Sequence, residues 1–419
     1  MTEIPTPQTL AAALVGAREA ACLTQEELAV RSGLSVRAIR NLETGHTARP
    51  RKQSLLLLAR ALGLPPGRLL RPPRPGGPAG PMPAELPAAP RHRLAGRERT
   101  VASLKTHLSE RDRGDAGPAV VVGPPGAGKT SLVLRAAHGV RTRFPDGQVF
   151  VDLHPASSLP FTAETLVRRV LRSLGAASTA DSAEEAAARL RDTLSRRRVL
   201  VVLDNVDSEA QVRPLLVDEV RSAVLVAARR ELPALPAQLR HRIGALAQPD
   251  AHRVLEDLVG VARTRAERSA ALSVLHSCAR LPLALHIAGL WLTARPHRSL
   301  RDLADRLADE RSRLAFLRVG DLSLQASVTA YHRLLPPPLK ESLRQLHAAP
   351  GEFGVEELLT RVTPSRDLAV DLVEDLLHRQ MIHVAGVERN GRIRYRLYDA
   401  VRLYVAHCLA ERRPLGTGT

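Results

Sequence analysis

One short string narrows the choice of folds more than anything else in the chain. Residues 123–131 read GPPGAGKTS, a full match to GxxxxGK[ST]. Glycines let successive backbone N–H groups turn inward around phosphate oxygens, Lys129 reaches the terminal phosphates, and the Thr130 hydroxyl ligates Mg²⁺. Such a loop needs a buried strand before it and a helix after it. The apolar run PAVVV (118–122) precedes it and the amphipathic SLVLRAAH follows, so bound phosphate is expected at a helix N-terminus. The cofactor-binding residues predicted here are Gly123, Pro124, Pro125, Gly126, Ala127, Gly128, Lys129, Thr130 and Ser131.

Three further apolar runs, QVFVDL (148–153), RVLVVLD (198–204) and AVLVAAR (223–229), alternate with helical stretches. Continuous apolar strands separated by helices predict an α/β domain with a parallel sheet covered on both faces. VLVVLDNVD ends in an acid; a strand beside the loop brings Asp204 to the metal, with Thr130 as its companion ligand. Asn205 stands where many ATPases carry a second acid. An amide cannot act as a base, so any ATPase activity is expected to be slow, or to use Asp207, and to serve as a switch. Beyond about Pro236 the strands are expected to stop. Leu-rich helices follow to about Arg318. A last mixed segment, 321–412, holds a strand pair, MIHVAGV and IRYRLY, around a turn at Glu388–Arg392.

A chain of 419 residues exceeds one core and predicts several domains. Aromatics make up 2%, so the cores must be built from Leu, Val and Ala. A Pro/Gly/Arg-rich stretch from Pro65 to about Pro90 cannot hold a helix or a central strand; residues 67–92 are read as a linker. The net charge of +18 suits a polyanion partner, although a preference for Arg over Lys explains it equally well. Cys22, Cys278 and Cys408 lack metal-ligand spacing and read as thiols of a reducing compartment. The N-terminus lacks a secretory pattern, and no apolar run approaches the roughly 20 residues that cross a bilayer. A cytoplasmic protein without membrane contact is expected.

Before the linker, residues 24–43 read TQEELAVRSGLSVRAIRNLE. Thr24 and Glu27 form a capping box, Gly33 permits a tight turn, and Ser35 caps a second helix. Leu28, Ala29, Leu34, Ile39 and Leu42 are spaced to pack the two helices at an angle. The result is a helix-turn-helix, and over 8–66 it resembles the lambda-repressor-like (Xre-type) family. The resemblance implies that the second helix enters the major groove of double-stranded DNA. Arg37 and Asn41 would then reach base edges, and Gln25, Ser35 and Arg40 phosphates or flanking positions. The alternative is a small protein-binding domain with a solvated basic face.

The remaining strings, in order, resemble the NB-ARC branch of the STAND ATPases in the form found in bacterial transcription regulators. LAGRE (94–98) is similar to the family's opening motif, which implies that Gly96 and Arg97 lie by the nucleotide. FPDGQVFVDL (144–153) resembles its second-strand region. VAARRELPAL (226–235) resembles the sensor strand, with Ala227 and Ala228 in place of hydroxyls and Arg229 kept to meet the terminal phosphate. CARLPLALHIAGLWL (278–292) resembles the GLPL motif, placing Pro282 near adenine, with Arg280 where the motif has Gly. RLYDAVRLYVA (396–406) is similar to the MHD region, with Tyr398 in the position whose His contacts the β-phosphate of ADP. The resemblance implies an NTPase domain over 93–240, a helical domain over 241–320 and a winged helix over 321–412, with Lys129, Asp204 and Arg229 as catalytic residues.

Together these readings predict a regulator switched by ATP or ADP with Mg²⁺, whose nucleotide state sets the conformation or oligomeric state of DNA-binding heads. A homo-oligomer is expected. Relatives usually continue into a C-terminal repeat sensor, whereas this chain stops at Thr419; the expectation is either that a separate protein or ligand supplies the signal, or that the chain is a reduced form that responds only to nucleotide. The rival reading is a signalling or defence NTPase whose N-terminal module recruits a protein.

Overall fold

The computed structural model describes residues 14, 15, 18, 23–44, 47, 52–62, 82–90, 92–110, 117–153, 161–177, 182–216, 221–347 and 351–411. Cys22 and most of the Pro-rich stretch lie outside the described residues. The chain divides into two units, residues 1–82 and 83–419.

In the first unit, α1 (Gln25–Ser32), α2 (Val36–Glu43) and α3 (Lys52–Ala61) are described. Thr24 Oγ1 accepts from the Glu27 N–H, and a Glu27 carboxylate oxygen accepts from the Thr24 N–H, so the capping box is closed. Gly33 ends α1 at φ 71°, a left-handed conformation that favours glycine, and Ser35 Oγ caps α2. Leu28, Ala29, Ile39 and Leu42 join Leu55, Leu58 and Ala59 in one core, against which Leu34 packs half-buried.

The second unit is built on a five-stranded sheet: β1 (Ala119–Val122), β2 (Gln148–Asp152), β3 (Leu200–Val206), β4 (Ala223–Ala228) and β5 (Leu239–Arg242), in the order β2-β3-β4-β1-β5. All its pairs are parallel. Alternate residues of one strand serve opposite cores. Leu200 and Val202 face α4 (Glu98–Ser109) and α5 (Lys129–Val140), whereas Val201 and Leu203 face α6 (Ala163–Ser173) and α7 (Ala183–Arg196). Burial on both faces is why these runs carry no polar alternation.

Three expectations need correction. The strands do not stop at Pro236, because β5 pairs with β1; its sequence, LRHR, gives no apolar signal, since an edge strand needs only its backbone to join the sheet. Asp204 is not on a strand beside β1, because β4 lies between them. Residues 82–92 are also not all linker. The Gln148 N–H donates to the Pro83 carbonyl at 2.7 Å and Glu85 N–H to the Gln148 carbonyl at 2.9 Å, so a strap runs along the free edge of β2. Glu85 pairs with Arg169 at 3.0 Å. From α5, Arg135 donates to the carbonyls of Pro90 and His92, and the His138 ring contacts the Pro87 carbonyl. Proline lacks a donor but keeps its acceptor, and acceptors are what Pro83, Pro87 and Pro90 supply here.

Past the sheet come α8 (Gln248–Val259), α9 (Val261–Ala266), α10 (Arg268–Ser277), α11 (Pro282–Thr293), α12 (Leu300–Ala308) and α13 (Glu310–Phe316). After the short pair β6 (Arg318–Val319) and β7 (Leu322–Ser323) follow α14 (Leu324–His332), α15 (Pro337–Leu346), β8 (Glu352–Phe353), α16 (Val355–Arg361), α17 (Arg366–His378), β9 (Ile382–Val387), β10 (Ile393–Leu397) and α18 (Asp399–Glu411). One continuous apolar core runs through these elements from Leu246 to Val405. Cys278 is buried within it, and burial pushes its thiol up to about 12. Among the described residues no helix is long and apolar enough to cross a membrane.

Candidate nucleotide-binding site

The loop leaves β1 at Gly123 and enters α5 at Lys129. Gly126 and Gly128 take φ 79° and 88°, a region that L side chains avoid. A Cβ on Gly123 would fall 2.2 Å from the Ile243 carbonyl oxygen, so backbone approach alone demands glycine there. Lys129, 8% exposed, donates from Nζ to the carbonyls of Gly123 and Pro124 at 2.8 and 2.9 Å. Burial lowers its ammonium pKa to about 7. It is a cation short of negative partners at the mouth of a helix N-terminus, the electrostatic condition that an anion relieves.

Thr130 Oγ1 donates to Asp204 Oδ2 at 2.7 Å, although β4 lies between β1 and β3. Burial raises the Asp204 pKa, and the Thr130 hydrogen bond opposes the rise. Asn205, with φ 61°, holds a left-handed position that Asn tolerates better than most residues. Its Nδ2 donates to Asp152 Oδ1 at 2.8 Å, and its Oδ1 accepts from Arg229 Nε at 3.1 Å. Asn205 thus links an acid at the end of β2 to Arg229. Arg229, 3% exposed, also donates to the Ala330 carbonyl on α14.

A cavity of about 430 Å³ opens over the loop, lined among others by Arg97, Gly126 to Ser131, Asn205, Leu246, Val254, Pro282, His286 and Tyr331. Arg97 donates to the Gly244 carbonyl; its Nε is buried with no hydrogen-bond partner among the described residues. The predicted residues Arg97, Gly126, Ala127, Gly128, Lys129, Thr130, Ser131 and Pro282 therefore meet around one space. Pro282 lies 3.7 Å from where a Cβ on Gly128 would stand. Gly123, Pro124 and Pro125, the first residues of the loop, are buried and do not line the cavity. Gly96 does not line the cavity; at φ 73° it packs so closely on Asp250 that a Cβ would fall 2.5 Å from a carboxylate oxygen.

Tyr398 is not brought to the cavity. Its N–H donates to the Met381 carbonyl and its ring lies 4.7 Å from that of His383, so its place at the end of β10 fixes it against β9. The tyrosine that does reach the loop is Tyr331 of α14. Its hydroxyl donates to the Gly123 carbonyl at 3.2 Å, and its ring lies 5.1 Å from Lys129 Nζ and 5.7 Å from Arg229 Cζ, within cation–π range. No sequence motif points to it; rarity is the only signal, since the chain has four tyrosines. His92 and His286 escape sequence reasoning as well. They stand at the cavity with ring centroids 4.8 Å apart. Partial burial lowers the pKa of each, reinforced for His92 by Arg135 and for His286 by His92.

In the first unit Ser35, Arg37, Arg40 and Asn41 are exposed on α2, opposite the buried Ile39 and Leu42. Gln25 is less free than expected: its Nε2 donates to Glu43 Oε2 at 2.7 Å and its Oε1 accepts from Arg40 at 3.5 Å.

Residues 93–317 match a family model described as AAA ATPase domain, and residues 17–69 match one described as helix-turn-helix. Regulatory protein AfsR of Streptomyces griseus is 37% identical over 332 residues, which are 79% of this chain and 34% of the relative. AfsR of Streptomyces coelicolor is 38% identical over 337 residues, with 79% and 33% covered. The chain spans about a third of the length of these curated relatives. Among solved structures, the Walker-type ATPase PABY2304 of Pyrococcus abyssi shares the fold at TM-score 0.51 and 13% identity, over 76% of this chain and 97% of that one.

Proposed function

The chain belongs to the AAA ATPase domain family, and from that premise we propose that it is a nucleotide-switched transcriptional regulator that binds double-stranded DNA. The observation that carries the proposal is the cavity itself. The phosphate loop, Pro282 of α11 and Tyr331 of α14 converge on it, so occupancy bears on elements far apart in the chain, and a helix-turn-helix precedes them.

ATP or ADP with Mg²⁺ fits the residues present. The under-compensated Lys129, the orphan Arg97 Nε and the glycine cradle suit an anionic tail. Thr130 and Asp204 would hold the metal, which supplies charge neutralisation at the phosphates. Lys129 and Arg229 would meet the terminal phosphate. Arg229 now bridges Asn205 and the α14 backbone, so recruitment to a phosphate competes with a contact that ties α14 to the sheet. That competition is the switch in this reading: a two-state element biased by the ligand. The order α15, β8, α16, α17, β9, β10 supports the reading of 321–412 as a winged helix following an NTPase domain (93–240) and a helical domain (241–320).

On α2, Arg37 and Asn41 would read base edges, with Ser35, Arg40 and Gln25 on phosphates or flanking positions. Dimerisation of the heads would add avidity for paired half-sites. Slow hydrolysis would reset the switch in the cytoplasm. The decisive experiment selects binding sequences from random DNA at moderate salt, once with ADP and once with ATP, alongside the oligomer size in each. A preferred sequence whose affinity depends on the nucleotide is expected. Equal retention of all DNA, with either nucleotide, would remove the regulator reading.

A further inference from the structure

We infer that the protein has a second ligand site, a crevice between α10, α13, α15, β10 and α18 that takes a small polar organic acid or phosphate ester on Arg396 and Arg402. The inference stands apart from the nucleotide reading, because this crevice shares no lining residue with the cavity over the phosphate loop.

The crevice holds about 400 Å³, room for a metabolite rather than a bare ion. Its charges come from distant parts of the chain. Glu310 and Arg313 stand one turn apart on α13, Arg396 near the end of β10, and Asp399 and Arg402 one turn apart on α18. Two of the three guanidiniums are fully engaged. Arg313, 9% exposed, donates from Nε and Nη2 to the carbonyls of Leu307 and Ala308 at 2.5 and 3.2 Å, closing the end of α12. Arg402 grips both carboxylate oxygens of Glu310, at 2.6 and 2.8 Å. Arg396 meets Asp399 only at 3.6 Å, beyond hydrogen-bond length. Three guanidiniums thus face two carboxylates, and the least engaged of them is also half-exposed. A planar fork in positive surplus suits a carboxylate or a phosphate.

The remaining wall favours a polar body behind that anionic head. His347 Nδ1 is buried with no hydrogen-bond partner among the described residues, a state that costs free energy until a partner arrives. His276 and Ser277 add a ring and a hydroxyl from α10, and among the described lining residues only Leu346 and Leu397 have apolar side chains. A hydrophobic ligand finds little to cover it here. A hydroxylated one finds donors and acceptors.

The test uses the full chain labelled with ¹³C-histidine and two probes, glycerol 3-phosphate and malate. Ring signals of His276 and His347, assigned through His276→Gln and His347→Gln, report on the crevice itself. At least one probe is expected to move both signals saturably, and the tighter of the two tells phosphate from carboxylate. Arg396→Gln gives up only a half-exposed side chain and a 3.6 Å contact, so the fold is kept. It should weaken that probe by about tenfold or more, the scale of one charge-assisted hydrogen bond, while Lys129→Met should leave its affinity unchanged. Signals that stay fixed under both probes overturn the site. So does a probe held equally by wild type and Arg396→Gln, or one lost with Lys129→Met, which would place it at the phosphate loop. None of these results decides whether ATP or ADP binds.

Discussion

Replacing Lys129 with Met should stabilise the nucleotide-free protein while abolishing its response to nucleotide. The ammonium is buried, and its pKa falls from the ordinary 10.5 to about 7. At about 1.36 kcal/mol per pH unit, that depression corresponds to about 5 kcal/mol of unfavourable free energy when the folded protein holds the charged form. Because the folded pKa lies below the unfolded one, the unfolded chain binds more protons between pH 7 and 10.5. This group therefore makes stability rise with pH across that window, and its penalty is complete below pH 7. Methionine fills the same space and leaves no acceptor orphaned. The Gly123 carbonyl keeps the Tyr331 hydroxyl at 3.2 Å, and the Pro124 carbonyl keeps the Ala127 N–H at 3.3 Å. Even if half of the penalty is realised, about 2 kcal/mol, the unfolding midpoint should rise by about 4 °C or more. Thermal unfolding at pH 7, 8 and 9, with and without ATP and Mg²⁺, reads both effects. The variant should start higher at pH 7, show a flatter pH profile, and gain nothing from nucleotide. A variant less stable than wild type at pH 7, or two parallel pH profiles, would refute the reasoning.

Further outcomes are expected elsewhere. Arg280, exposed at φ 53°, occupies a conformation that disfavours a side chain; Arg280→Gly should raise stability by about 0.5–1 kcal/mol, seen as a higher urea midpoint with unchanged slope. Thr24→Ala opens the capping box and should cost α1 about 1 kcal/mol, read as a roughly fivefold faster hydrogen exchange of the Glu27 amide in the full chain. Arg37→Ala should reduce discrimination at one base position by about 1–3 kcal/mol in a competition assay; an equal loss on every sequence would move Arg37 to a phosphate.

Features that depend on local chemistry are legible in the amino-acid sequence. The phosphate loop announces itself because its glycines, lysine and hydroxyl are needed at fixed spacing. Strands β1 to β4 are visible because burial on both faces forces unbroken apolar runs, and α1 and α2 because a capping box and a glycine turn leave side-chain signatures. Features held by backbone, or by partners distant along the chain, stay hidden. β5 joins the sheet through N–H and C=O groups while its side chains read LRHR. Arg280 looks like a lost motif glycine, yet its backbone keeps the left-handed turn, and its carbonyl still accepts from the Leu246 N–H at 3.0 Å. Tyr331 reaches Gly123 from 208 residues away, a contact no local pattern encodes. The expectation for Asp204 is right about proximity to Thr130 and wrong about route, because strand order is a property of the assembled sheet.

The strap along β2 changes where the ATPase unit begins. A fragment started at the composition break near residue 93 would leave the outer N–H and C=O of Gln148 facing water, take the acceptors from Arg135 and His138, and remove one wall of the cavity mouth. The polypeptide arriving from the first unit is bolted to α5, the helix that starts at the phosphate loop. Any shift of α5 would therefore carry the strap with it, because Arg135 and His138 hold the carbonyls of Pro90, His92 and Pro87.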